Sequence, residues 1–184
     1  RGHEPLLLAA LVVTGCQPEL PLPRKLAVGA NPESVTRGFD GDLFVSIMGP
    51  TRKRDDGDGK VVRVRGETVT DFTTGLNDPK GIVFAGGQLI TADFDTVWRI
   101  DAQGKKTVLA GPKDFPFPPA FLNDVEVEPS GQSILVTDMG DVAKMRDANN
   151  QLWARNSAQA KEIKVIARVY RISLAGKVTE VIPP

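Results

Sequence analysis

Leu122-Asn123-Asp124-Val125, followed by Pro129-Ser130-Gly131-Gln132-Ser133-Ile134-Leu135-Val136-Thr137-Asp138, is one copy of a unit that occurs three times. The other copies open on Pro32-Glu33-Ser34-Val35 and Pro79-Lys80-Gly81-Ile82, so the starts at 32, 79 and 122 lie 47 and 43 residues apart. Each opening leads through a glycine-containing turn to a second apolar run. In the first two copies these runs are Asp40-Gly41-Asp42-Leu43-Phe44-Val45-Ser46 and Gly86-Gly87-Gln88-Leu89-Ile90-Thr91-Ala92-Asp93. An apolar-Arg-apolar segment follows in every copy: Val62-Arg63-Val64, Trp98-Arg99-Ile100 and Tyr170-Arg171-Ile172. A turn at Gly66, Gly104 or Gly176 then leads into a last segment such as Lys105-Lys106-Thr107-Val108-Leu109. The alternation has period two, the spacing of strands rather than helices.

Four short strands every ~40–50 residues predict an all-β protein built of β-propeller blades. A four-stranded blade is apolar on both faces and buries them only against neighbours around an axis. Closed rings have roughly four to eight blades. Three blades therefore read as the N-terminal part of a ring, with a fourth expected where the chain stops at Val181-Ile182-Pro183-Pro184. The blades are expected at about 27–75, 76–114 and 115–184. Arg63 and Arg99 are 36 residues apart but Arg99 and Arg171 are 72 apart, which places an insertion at about 141–165. Its residues Ala143, Lys144, Met145, Arg146, Leu152, Trp153, Ala154 and Arg155 read as an amphipathic helix that Asn149-Asn150 would interrupt. It is either a plain long loop or a border of the functional site.

Composition narrows the function classes. The chain has 184 residues, 23 Lys and Arg against 23 Asp and Glu, and a net charge of zero, which argues against a nucleic-acid binder. Apolar residues at 41% and charged residues at 25% fit a globular domain. The single Cys excludes an internal disulfide, and the single His, at position 3, excludes a Ser-His-Asp triad or a His-based zinc site. Leu6-Leu7-Leu8-Ala9-Ala10-Leu11-Val12-Val13 is too short to span a bilayer, which takes about 20 apolar residues, and fits the apolar region of a signal segment. Val13-Thr14-Gly15-Cys16 resembles a bacterial lipobox, which makes Cys16 the expected lipidation site and residues 1–16 a lipoprotein-type signal. The proline-rich stretch 17–26 is the expected tether, and the expected location is the bacterial cell envelope, with membrane contact only through the lipid.

Near the axis of a propeller the inner strands present their first residues to a channel. Glu33 and Asn123 hold the same position in the first and third copies, Lys80 in the second, and Asp124 follows Asn123. Oxygen donors gathered there suit a hard cation such as Ca²⁺, although a lone Glu or Asn at a strand start is also an ordinary turn or capping residue. In Arg52-Lys53-Arg54-Asp55-Asp56-Gly57-Asp58-Gly59 the Asp-Gly pairs read as a charged hairpin tip rather than a Ca²⁺ loop. Phe115-Pro116-Phe117-Pro118-Pro119-Ala120-Phe121 reads as a rigid connector between blades, and as a wall of the pocket mouth. Arg63, Arg99 and Arg171 recur in every copy and are expected to serve the blade.

These elements resemble the senescence-marker-protein/gluconolactonase family. The resemblance rests on Pro32-Glu33-Ser34-Val35 with its Asp-Gly turn, and on Leu122-Asn123-Asp124-Val125 with Pro129-Ser130-Gly131 and Val136-Thr137-Asp138. It covers about 27–140 and 166–182. It implies a six-bladed propeller, of which three blades are present, that hydrolyses sugar lactones with one axial divalent metal, expected to be Ca²⁺. By the same resemblance Glu33 and Asn123 are metal-facing residues, and Asp124, Asp141 and Phe121 fall at or near substrate-contacting positions. Phe121 replaces the Arg that some members carry two residues before the Asn, and the remaining ligands of the family belong to later blades. The expected function is a lactonase-like hydrolase of ester bonds in the full-length parent, acting on a lactone or sugar-derived small molecule, with this segment alone inactive. The alternative is a non-catalytic, envelope-anchored propeller that binds a protein or carbohydrate.

Overall fold

The computed structural model describes residues 25–51 and 53–184. The expected signal segment, Cys16 and all but the last residues of the tether lie outside the described residues. Three four-stranded sheets follow one another along the chain, each antiparallel and each laid down in sequence order. The first comprises β1 (Pro32–Arg37), β2 (Leu43–Ile47), β3 (Gly59–Arg65) and β4 (Thr68–Leu76). The second comprises β5 (Pro79–Ala85), β6 (Gln88–Asp93), β7 (Thr96–Ile100) and β8 (Lys106–Ala110). The third comprises β9 (Leu122–Val127), β10 (Ser133–Asp138), β11 (Arg168–Ser173) and β12 (Val178–Ile182). The first strands of the three sheets stand side by side, β1 against β5 and β5 against β9. They line a common groove through residues such as Thr36, Val83 and Val125. These are three successive blades of a β-propeller, inner strands toward the axis.

Period-two alternation explains the stacking. On β6, Leu89 packs with Phe44, Val61, Leu76, Ile82 and Ile100 between the first and second blades. Its neighbour Ile90 packs with Ala92, Val97, Val125, Ile134, Val136, Tyr170 and Ile172 between the second and third. One strand thus feeds two cores, because successive side chains leave opposite faces of a sheet. The recurring arginines brace their own blades. Arg63 donates to Asp42 at 2.5 Å and to Asp40 at 2.6 Å. Arg171 grips Glu128 with two guanidinium nitrogens at 2.7–2.9 Å, and Arg99 donates to Thr107 Oγ1 at 3.2 Å.

The insertion between β10 and β11 departs from the expected amphipathic helix. Within it a 3-10 turn spans Val142–Met145, Arg146 bridges to Leu152, and one short α-helical turn follows, α1 (Ala158–Glu162). Asp147 Oδ1 accepts the backbone N–H groups of Asn149 and Gln151 at 2.9 and 2.8 Å, and Asn150 adopts φ 62°. A side chain that captures local N–H groups, followed by a left-handed residue, makes a hairpin turn where a helix would need to continue.

Candidate functional site

Two carboxylates fix where the inner strands begin. Asp93, the last residue of β6, accepts the N–H groups of Asn77 and Asp78 at 3.0 and 2.8 Å. Asp138, the last residue of β10, accepts those of Ala120 and Phe121 at 3.0 and 2.9 Å. In each case the donors are the two residues before the inner strand, so the carboxylate latches that strand's start to the second strand of its own blade. Burial raises the Asp93 pKa above the ordinary carboxylate value, against the lowering effect of the hydrogen bonds from Asn77, Asp78 and Trp98. The first blade has Ile47 at this position; there the Asn31 side chain donates to the Gly49 carbonyl at 2.7 Å instead.

Glu33, Lys80 and Asn123 occupy the second positions of β1, β5 and β9 and share one end of the groove. Glu33 is exposed and Asn123 half-buried. Surrounding protein desolvates the Glu33 carboxylate and raises its pKa; Lys80 lowers it, and Asp124 and Asp78 raise it further. Lys80 is buried rather than presented to the channel. Its ammonium donates to Asp78 at 2.9 Å and to the Met48 sulfur at 3.0 Å, and lies 4.9 Å from the centre of the Phe121 ring. The three partners come from three blades, so Lys80 pins the inner edge of the arc. Asp124 is exposed, and its Oδ1 accepts the Val125 N–H at 2.9 Å. It sits over Gly81, where an added Cβ would come within 2.6 Å of the Val125 nitrogen.

Phe121 stands at the mouth with an edge-to-face partner, Phe94, at 5.6 Å. Arg54, delivered by the β2–β3 hairpin of the first blade, lies 4.7 Å over Phe94 and ion-pairs with Asp95 at 2.5 Å. The tip that carries it is cross-linked internally: Asp58 accepts from Thr51 N and Oγ1 at 3.1 and 2.8 Å, and Asp56 from Lys53 N at 2.8 Å. This is the hairpin tip expected from its Asp-Gly pairs. Asp141 lies apart from Asn123, beyond the end of β10. It pairs with Lys144 at 2.7 Å, a hydrogen bond that lowers its pKa, and it lines a cavity within the insertion. The structure therefore brings Glu33, Lys80, Asn123 and Phe121 to one end of the groove, sets Asp124 just inside it, and puts Asp141 in a neighbouring cavity.

In the sequence Arg54 stands out only as part of a charged hairpin tip, and Phe94 and Asp78 carry no mark of a site. Phe94 and Asp78 flank strands, where turn residues are expected, and Arg54 gains its place only through contacts 41 residues distant. Asp93 and Asp138 did carry a signal, since both copies end their second strand on Asp. Oxygen donors of the kind a hard cation takes are present in Glu33 and Asn123. Together they offer three oxygens against the six to eight that Ca²⁺ binds. Among the described residues no group of three or more His, Cys, Asp or Glu is placed to hold a metal ion.

No protein-family model matches the chain, and no curated protein matches it. Among solved structures it is similar to a gluconolactonase from Xanthomonas campestris, with 18% identity and a TM-score of 0.60, over 85% of this chain and 49% of that one. The fold is gluconolactonase-like. The chain spans about half the length of that structure. A lower similarity, with a TM-score of 0.44 and 21% identity, links 61% of the chain to 42% of a putative oxidoreductase (glucose dehydrogenase) from a Thermus species. At these identities the gluconolactonase-like fold is what the likeness shows.

Proposed function

We propose that this chain forms part of a lactonase-like hydrolase whose site is the end of the groove that presents Glu33 and Asn123. The observation that carries the reading is their shared register on β1 and β9, in a gluconolactonase-like fold. The substrate class is a small lactone, in keeping with the name of the Xanthomonas protein. Glu33 and Asn123 would contribute part of the ligand set of a divalent cation, Ca²⁺ being the ion that best suits all-oxygen donors. Such an ion, when bound, supplies polarisation of a carbonyl oxygen. The chain's own residues do the rest of what can be derived. Phe121 and Phe94 give the mouth an apolar wall, and Lys80 with Asp78 holds the three inner strands in register beneath it. Cys16 as a lipid anchor and the cell envelope as location belong to the same proposal.

A non-catalytic binding propeller is the second reading. It is favoured by the burial of Lys80 and by Phe121 at the mouth, which offers a ring where a polar grip on substrate would help hydrolysis. Acid release from gluconolactone, measured with Ca²⁺ and with chelator, separates the two. On the enzyme reading, Glu33→Gln lowers turnover and Ca²⁺ affinity together by roughly 10–100-fold, the range that supporting groups already command at metal sites. Asn123→Ala behaves alike. Hydrolysis indifferent to chelator and to Glu33→Gln removes the metal role. Absence of hydrolysis in a protein whose ring is closed by further blades leaves the binding reading.

A further inference from the structure

The insertion between β10 and β11 forms a cavity of about 490 Å³ that is open to solvent on one side. Trp153, Ile163 and Ile166 give it an apolar wall, and Arg146 and Lys164 stand on its lining. The indole is fixed in place, because its N–H donates to the Lys144 carbonyl at 3.1 Å. Asp141 and Lys144 neutralise each other at 2.7 Å, so the excess charge on the lining comes from Arg146 and Lys164 against Glu162. Arg146 donates one nitrogen to the Asn150 carbonyl at 3.0 Å. An apolar ring face beside a guanidinium and an ammonium matches a molecule with a C–H face, hydroxyls and one carboxylate. The cavity stands at the same end of the third blade as Asn123. Asp141 is three residues past Asp138, whose Oδ1 accepts the N–H groups of both Gly140 and Phe121 at 2.9 Å.

We propose that this cavity binds a polyhydroxylated carboxylate, the class of acid released when water opens a sugar lactone. In that opening the acyl–oxygen bond breaks, hydroxide from water joins the acyl carbon, a proton goes to the departing ring oxygen, and the acid ionises. The identity of the ligand rests on the lactone reading above; the cavity's affinity for it does not require turnover. The site holds the acid product, or an acidic sugar of the same shape, beside the axial groove.

Titration of the full chain with sodium gluconate, followed by tryptophan fluorescence, tests this. Trp153→Phe assigns the signal, since Trp98 lies in the second blade. Gluconate is expected to bind at least about tenfold more tightly than acetate, glucose or inorganic phosphate, a difference that each ligand's missing half accounts for. The double variant Arg146→Gln/Lys164→Gln is expected to lose roughly tenfold, as removal of a charge-assisted pair does. Both side chains are exposed, and circular dichroism checks that the variant folds. Equal binding of any comparator, unchanged affinity in the double variant, or no gluconate binding overturns the proposal. Gluconate binding through Arg146 and Lys164, with no lactone hydrolysis even in a protein whose ring is closed by further blades, keeps this site and sinks the enzymatic reading. Hydrolysis without gluconate binding does the reverse.

Discussion

Lys80 is a buried cation whose loss leaves Asp78 buried, charged and without its partner; the side chains are 4% and 3% exposed. Lys80→Met alone is therefore expected to cost about 3–5 kcal/mol in urea unfolding, while Lys80→Met with Asp78→Leu recovers most of it. A double variant as unstable as the single one would show that the ammonium acts through Met48 and Phe121 rather than through charge. Gly81 is limited by space. Gly81→Ala puts a methyl group against the β9 backbone and is expected to destabilise by about 1–3 kcal/mol, read from the same unfolding curves. Asp93 gives a pH dependence. Its folded pKa is raised above the ordinary 3.8 by burial, so the stability its protonated form carries is complete below that value and lost as pH climbs through the raised pKa. Asp93→Asn does not titrate. The stability of wild type minus that of Asp93→Asn should therefore fall as pH rises across this window, and a difference that grows would contradict the assignment. Asp93 left a signal in the Asp that ends the second strand of two copies, but the roles of Lys80 and Gly81 were not legible from residue type. A lysine at a strand start reads as solvated, and its burial depends on Met48 and Phe121, residues 32 and 41 positions away.

At the scale of elements, the hairpin that ends on Asp138 and Arg168 is already closed by their pairing, so the insertion hangs from a finished blade. Replacing residues 139–167 by Asn-Gly, a two-residue turn suited to an antiparallel pair, is expected to preserve the β-sheet circular dichroism and cooperative melting. The same deletion should abolish gluconate binding. Loss of the third blade's sheet signal would instead make the insertion part of the core. The strands were readable because their side chains obey period two and their turns carry glycine. The insertion was not, since Ala143, Lys144, Met145 and Arg146 have helical propensity that the Asp147 side chain overrides by taking the N–H groups of Asn149 and Gln151.

At the scale of the whole molecule, the second blade is covered on both faces, by Leu89 and Ile90 looking opposite ways, and the first and third blades each share one of its cores. In a linear stack each unit draws stability from its neighbours, so amides of β6 are expected to exchange with deuterium more slowly than those of β2 and β10. Faster exchange in β6 would rule out nearest-neighbour stacking as the source of stability. The repeat that set this architecture was visible as three matching openings, and with it the alignment of Glu33, Lys80 and Asn123. Which of the three faces the channel was not, because that depends on contacts between blades. The latches on Asp93 and Asp138 bear on how the chain assembles as it is made. Each joins groups only 15–18 residues apart, so a nascent blade can secure its own inner strand once its second strand has emerged. Lys80 must wait for Phe121, 41 residues later, before its pocket is complete. Synthesis from the N-terminus therefore delivers the strands of the first two blades before the pin that ties them to the third, and the third blade closes on an inner edge already held together.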